Sequence, residues 1–183
     1  MNLEEIKRRN KAKFYIARSP RGYGLSYFAK EEFHFRDVVC LAYGRIVDHQ
    51  TAKTSIQFDR DKHIVPSRWG GRFLNHSCDP NIFPQSELNG FPVFIALRKI
   101  MRDEEITYAY YTTEFSWESY CLETHCPCMC GSLNCTGRIR AFSQLSHREQ
   151  MQLVRKRQLS KYLLELVQIM RRGHRHKFIL SKI

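Results

Sequence analysis

Four of the seven cysteines of this 183-residue chain crowd into positions 126–135. Cys128-Met129-Cys130, followed by Cys135 after four more residues, brings three thiols within reach of one ion. Disulfides between residues two apart meet the required geometry badly, and secreted disulfide scaffolds spread an even set of cysteines along the chain. Crowded thiols in a chain without an export signal point instead to metal, and a structural Zn²⁺ takes four ligands in a closed tetrahedron. Spacing leaves the fourth ligand open: Cys126 and His125 are near, and Cys78 is distant.

The remaining composition is that of an ordinary soluble domain, 43% hydrophobic and 26% charged. The longest apolar runs are short, such as Val38-Val39-Cys40-Leu41-Ala42-Tyr43, far below the ~18 residues of a membrane span. Residues 1–13 are charged throughout and carry no apolar stretch, which argues against a secretory signal. No membrane partner is expected. The formal charge of +12 is unevenly placed. Residues 138–183 hold 12 Lys/Arg against 2 Asp/Glu, whereas residues 1–137 hold 18 against 16. A basic end of this kind suits an anionic partner, nucleic acid among them, or a helix kept soluble by its charges.

Short apolar runs alternate with turn residues through the body. Phe14 to Ala17, Val38 to Tyr43, Ser55 to Phe58, Val93 to Leu97 and Ile106 to Tyr111 read as strands. Residues 66–90, rich in Gly, Pro, Asn and Ser, read as a long irregular section of the kind that carries function. Residues 4–13 fit one or two basic helical turns. Ser146-His147-Arg148-Glu149 has capping-box spacing, and Leu159, Tyr162, Leu163, Leu166 and Met170 follow at helical intervals. One helix is therefore predicted over about 147–172, with Gly173 as its stop. Its apolar stripe can pack on the body or meet a second copy, which would make a homodimer, or another partner.

Arg72-Phe73-Leu74-Asn75-His76-Ser77-Cys78-Asp79-Pro80-Asn81 packs Asn, His, Ser and Asp into one loop, where side chains can bond the backbone and fix its shape. Gly22-Tyr23-Gly24 alone is a turn. Asp103-Glu104-Glu105-Ile106-Thr107-Tyr108-Ala109-Tyr110-Tyr111 alone is a half-buried aromatic strand.

In this order the four segments resemble the SET-domain protein lysine methyltransferases over about residues 14–140. Arg72 to Asn81 matches the family's RFxNHSCxPN segment at every fixed position, and Cys128-x-Cys130-Gly131-x3-Cys135-x-Gly137 resembles its post-SET zinc segment. The resemblance implies a mainly β fold of small sheets around a knot-like core, in which the segment ending in the catalytic Tyr passes through the loop of the NHS segment. A C-terminal α-helix follows. The implied divisions are a basic N-terminal segment (1–13), the SET domain (14–117), the post-SET zinc segment (118–140) and a basic helix and tail (141–183).

By the same resemblance, Cys78 joins Cys128, Cys130 and Cys135 on Zn²⁺, leaving Cys126 a spare thiol. S-adenosylmethionine is the implied cofactor, held around Gly22, Tyr23, Gly24, Asn75 and His76. Tyr110 is the implied catalytic residue. Tyr108 occupies the family's Phe/Tyr switch position, which implies mainly mono-methylation with di-methylation as the next product. Some positions depart from the family: Tyr43 of Ala42-Tyr43-Gly44 sits one place from the usual Tyr-x-Gly, Asp103 and Arg36 stand where Gly is common, and Ser26-Tyr27 reads as an insertion.

Six acids and no Lys or Arg lie in residues 103–123 (Asp103, Glu104, Glu105, Glu114, Glu118 and Glu123), so a negative substrate entrance for a basic, histone-like protein is expected. The basic end would hold the nucleic acid on which such a substrate is packaged. The expected setting is an intracellular, reducing compartment: nucleus or chromatin in a eukaryote, otherwise cytoplasm or a Sec-independent secreted effector. The competing reading is a non-catalytic SET-like module that binds nucleic acid or a protein through the basic helix.

Overall fold

Ile6 and Asn10 lie on one face of the first helix, α1 (Leu3–Lys13), and both are buried against the body. The Asn2 side chain caps the helix by accepting the Glu5 N–H at 2.9 Å. Buried Asn10 is fully used: its amide donates to the carbonyls of Leu41 (2.8 Å) and Trp69 (2.7 Å), and its oxygen accepts the Leu41 N–H (3.2 Å). The segment thus forms three helical turns where one or two were expected. The computed structural model describes residues 2–22, 24–51, 55–88, 91–117 and 126–180.

Three small sheets follow. β1 (Phe14–Arg18) pairs antiparallel with β2 (Leu25–Ala29). A second sheet has the order β4 (Gly44–Val47), β6 (Lys62–Pro66), β5 (Ile56–Asp59), all antiparallel. The third sets β3 (Val38–Leu41), β9 (Phe91–Ala96), β8 (Ile82–Leu88), β10 (Thr107–Tyr108) and β7 (Asn75–His76) side by side. The expected strands around 14, 38, 56 and 93 are present. The section 66–90, expected to be irregular, contains β7 and β8. Pro84 hid β8 from a pattern reading, and the strand tolerates it beside a register shift between Pro84 and Ser86.

The position of β10 decides the topology. It lies between β7 and β8, parallel to both. Loop 77–81 joins those two strands, and both its ends bond the inserted segment: Ser77 N–H to the Tyr108 carbonyl (3.1 Å) and Asn81 N–H to the Thr107 carbonyl (3.2 Å). Asn81 also accepts the Thr107 N–H (2.9 Å) and donates to the Glu105 carbonyl (2.8 Å). Residues 105–108 are therefore threaded past the loop, the knot-like core that the resemblance implied. Only residues 107 and 108 pair as a strand, and Tyr110–Thr112 turns into a 3₁₀ helix. Behind this crossing lies the main core of Phe14, Tyr27, Phe33, Phe94, Ile82, Ile106 and their neighbours.

The single helix predicted over 147–172 is two. α2 (His147–Lys156) carries the predicted capping box, with the Ser146 N–H donating to Glu149 at 2.8 Å and Ser146 Oγ accepting the Glu149 N–H at 3.3 Å. It ends at Arg157, whose φ of +54° is left-handed. Ser160 then donates its N–H to the Thr112 carbonyl (2.8 Å) and accepts the Leu163 N–H on its hydroxyl (3.4 Å). That restart begins α3 (Lys161–Leu180), which runs through Gly173 rather than stopping there. The apolar stripe is spent on the body: Leu159, Tyr162, Leu163 and Val167 pack with Phe142 and Leu145 against Tyr111 and Phe115. Met170, counted in that stripe, is exposed. Among the described residues no helix is long and apolar enough to cross a membrane.

Candidate functional site

Gly22 and Gly24 take φ values of +85° and +95°, which side chains rarely adopt. They close a turn in which the Ser19 N–H reaches the Gly24 carbonyl at 2.8 Å. Ser19 Oγ anchors that turn by donating to buried Glu105 at 3.0 Å, and Arg21 lies 3.9 Å from the same carboxylate. The Asn75 amide donates to the Leu25 carbonyl at 3.1 Å, one residue past the turn. Gly22, Gly24, Asn75 and His76 are thus brought into one neighbourhood, while Tyr23 lies outside the described residues.

Beside them stand the two tyrosines of the threaded segment. Tyr108 is buried, its ring 4.9 Å from that of Phe94 and 5.0 Å from that of Tyr110. Burial pushes its hydroxyl well above the ordinary tyrosine pKa, with neighbouring Tyr110 and Glu114 adding to the rise. Tyr110 is half-buried and edge-on to His76 and Trp117. Its hydroxyl donates to the Leu74 carbonyl at 3.2 Å and its N–H to His76 Nδ1 at 3.2 Å. Aromatic faces, one hydroxyl fixed on a carbonyl and a second kept neutral make a site suited to an alkylamine.

The sulfurs of Cys78, Cys128, Cys130 and Cys135 all lie within 4.8 Å of one another, and those of Cys78 and Cys128 are 3.8 Å apart. Zinc–sulfur bonds of about 2.3 Å in a tetrahedron require sulfurs about 3.8 Å apart, so the donor set fits Zn²⁺. Main-chain N–H groups already face two of the sulfurs, Cys78 N–H to Cys130 (3.5 Å) and Gly137 N–H to Cys135 (3.4 Å), as thiolates require. Cys126 is outside this set and disulfide-bonded, so it is not the spare thiol expected.

Part of the acidic run is engaged within the fold and not available to the expected negative entrance. Glu114 is only 1% exposed. Glu105 is buried against Ser19, and Glu104 is paired with Arg98 at 2.7 Å. Glu118 and Glu123 lie outside the described residues. Nor does Tyr43 stand with the other tyrosines: it is buried with Ile6, Leu41, Phe83 and Val93 beneath α1. A cleft of about 360 Å³ opens instead beside Phe115, between the β5–β6 hairpin and α3, lined by Gln57, Arg60, His63, Tyr162 and Met170 among others.

Sequence reasoning missed Ser19, Thr113 and the Leu74 carbonyl, and read Glu105 and Glu114 only as members of an acidic run. Asn81 carried a signal as part of the Arg72–Asn81 motif, although its role as clamp of the threaded strand was not readable there.

The family model described as SET domain matches residues 3–111. Over 156 residues the chain is 31% identical to a histone-lysine N-methyltransferase, H3 lysine-4 specific, of Aspergillus oryzae; the match takes in 75% of this chain and 12% of that protein. Over 134 residues it is 30% identical to an H3 lysine-36 specific histone-lysine N-methyltransferase of Candida albicans, taking in 63% of this chain and 15% of that protein. Among solved structures it is similar to KRYPTONITE in complex with mCHH DNA, H3(1-15) peptide and SAH, with a TM-score of 0.55 and 26% identity, covering 69% of this chain and 29% of that one. The chain therefore spans a small part of the proteins it matches.

Proposed function

Because the chain belongs to the SET domain family, we propose that it is an S-adenosylmethionine-dependent protein-lysine N-methyltransferase acting on a histone or histone-like basic protein at chromatin. The observation that carries this reading is the threaded Tyr110, its hydroxyl on the Leu74 carbonyl and its N–H on His76, next to the Gly22–Gly24 turn and Asn75. The cofactor supplies an electrophilic methyl group on a sulfonium. Backbone around Gly22 and Gly24, with Tyr23, Asn75 and His76, would hold it.

A lysine amine must lose a proton before it can attack, against an ordinary pKa of about 10.4. The apolar, aromatic walls around Tyr108 and Tyr110 disfavour the ammonium form, so no dedicated base is required. Tyr110 orients the amine, and positioning carries much of the rate. The hydroxyl of Tyr108 fills the space that a more methylated amine needs, which favours mono-methylation over di-methylation. Cys78, Cys128, Cys130 and Cys135 would hold a structural Zn²⁺ that ties the loop 77–81 to the C-terminal segment. The matched relatives carry different lysine specificities in their names, so neither lysine is assigned to this chain.

The exposed Arg155, Lys156, Arg157, Arg171 and Arg172 of the two C-terminal helices supply the basic surface proposed to hold packaged DNA. That contact would be sequence-independent and weaken steeply with salt. Calorimetric binding of S-adenosylmethionine to the chain, and its weakening in Asn75→Ala, tests the cofactor reading. Transfer of a labelled methyl to core histones tests the reaction. Absence of both would favour the non-catalytic module.

A further inference from the structure

A Cβ built at Gly22 or Gly24 would meet nothing within 4 Å, so the turn they close is not wedged in place at either residue. Inside it, the Gly22 N–H donates to the Ser19 carbonyl (3.3 Å) and the Arg21 N–H to Ser19 Oγ (3.2 Å). Those bonds shape the turn but do not place it. Among the described residues, the bond from Ser19 Oγ to Glu105 Oε2 at 3.0 Å is the one hydrogen bond joining residues 19–24 to another part of the chain.

Glu105 is fixed from its other side. Its carbonyl accepts the Asn81 amide at 2.8 Å, its main chain bridges Phe28 of β2, and Ile106 N–H donates to the Tyr27 carbonyl at 2.8 Å. The side chain is only 6% exposed. Its Oε1 has no hydrogen-bond partner among the described residues, which leaves Ser19 as the carboxylate's donor, with Arg21 3.9 Å from Oε2. The same threaded segment carries Tyr108 three residues later and Tyr110 two beyond that.

We propose that Glu105 is a positioning residue for the methyl donor, setting through Ser19 where the cofactor turn stands relative to Tyr110. The main chain of Glu105 is held by the threading loop, and its side chain holds the turn. Without this link the turn keeps its glycines and its internal bonds but not its height over the threaded segment. Cofactor binding must then order the turn, which costs affinity, and a donor displaced from Tyr110 transfers more slowly.

This inference rests on the methyltransferase reading and deepens it. The test is a double-mutant cycle on the intact chain with Ser19→Ala, Glu105→Met and the two combined. Each is titrated calorimetrically with S-adenosylmethionine and S-adenosylhomocysteine, and its Tm is measured without cofactor. Both single variants should bind either ligand about tenfold more weakly, and the double no more weakly than they do. Ser19→Ala alone leaves a buried carboxylate without its donor and should lower Tm; removing both ends should restore it. Affinity should stay low in that restored chain, a split that a merely structural bond would not give. Ser19→Thr, which keeps the hydroxyl, should bind as the wild type does. On core histones at saturating cofactor, kcat should fall in the double variant while KM for the histone stays unchanged. Unchanged cofactor affinity in Ser19→Ala, or affinity that returns with Tm in the double variant, would overturn the inference alone. A wild type that binds neither ligand would overturn the methyltransferase reading and this inference with it.

Discussion

The main-chain N–H of Tyr110 donates to Nδ1 of His76 at 3.2 Å, and Nε2 of the same ring lies 3.5 Å from the sulfur of Cys78. An accepting Nδ1 places the ring proton on Nε2, where it faces that sulfur. Burial, with Arg140 nearby, lowers the imidazole pKa to about 4 and keeps the ring neutral. One side chain therefore joins the four-cysteine cluster to the backbone of Tyr110. Cys78→Ser is expected to lose bound zinc, and Cys126→Ser to keep it, as measured by metal content per chain. His76→Ala should weaken zinc ~10–100-fold in a chelator competition, the usual cost of removing a group that orients a ligand. Zinc retained in Cys78→Ser and lost in Cys126→Ser would reverse the ligand assignment.

Tyr108→Phe should raise the methylation state of the product. The change removes only a hydroxyl from a buried ring that stays packed on Phe94, so folding should hold. Mass spectrometry of the modified histone should show di- and tri-methyl lysine where the wild type leaves mainly mono-methyl. An unchanged product distribution would count against Tyr108 as the residue that limits it.

Glu114 makes stability depend on pH in an unusual direction. The unfolded carboxyl ionises near its ordinary value, whereas the folded one keeps its proton up to about 7. The folded state thus binds more protons across that window, and its stability falls as pH rises from about 4.5 to about 7. Glu114→Gln removes this slope, up to ~3 kcal/mol if the whole shift is expressed. Urea unfolding of both chains at several pH values checks it; parallel pH profiles would refute it.

Arg36 and Asp103 adopt φ values of +72° and +64° at two positions where glycine is common in the family. Left-handed backbone costs a side-chain-bearing residue about 1 kcal/mol, and Asp tolerates it better than Arg. Asp103 also accepts a hydrogen bond from the Tyr15 hydroxyl at 3.0 Å. Arg36→Gly is therefore expected to raise Tm by a few degrees and Asp103→Gly by less. A fall in Tm for Arg36→Gly would contradict the strain argument.

The parts of the site written as contiguous chemistry were legible in the sequence: the crowded cysteines, the Arg72–Asn81 run and the capping box at Ser146. The threading was not, because β10 is two residues long and its meaning lies in being held by Asn81 and Ser77 from another part of the chain. The knot-like core came from resemblance, not from periodicity. The break at Arg157 was hidden because the capping box at Ser146 and the apolar stripe from Leu159 onward read as the start and body of one helix. Glu114 was misread for a related reason: six acids in a row of loops look solvated, and only the packing of Phe142 and α3 behind Phe115 shows that this one is enclosed.

The most direct test of the account is methyl transfer itself. The intact chain, and Tyr110→Phe beside it, would be incubated with methyl-labelled S-adenosylmethionine and with free and DNA-packaged core histones. The account predicts label on a histone lysine with the wild type and a loss of at least ~100-fold in the variant, with cofactor affinity unchanged. Equal labelling by Tyr110→Phe, or no labelling by a wild type that binds the cofactor and is offered both forms of histone, would contradict it.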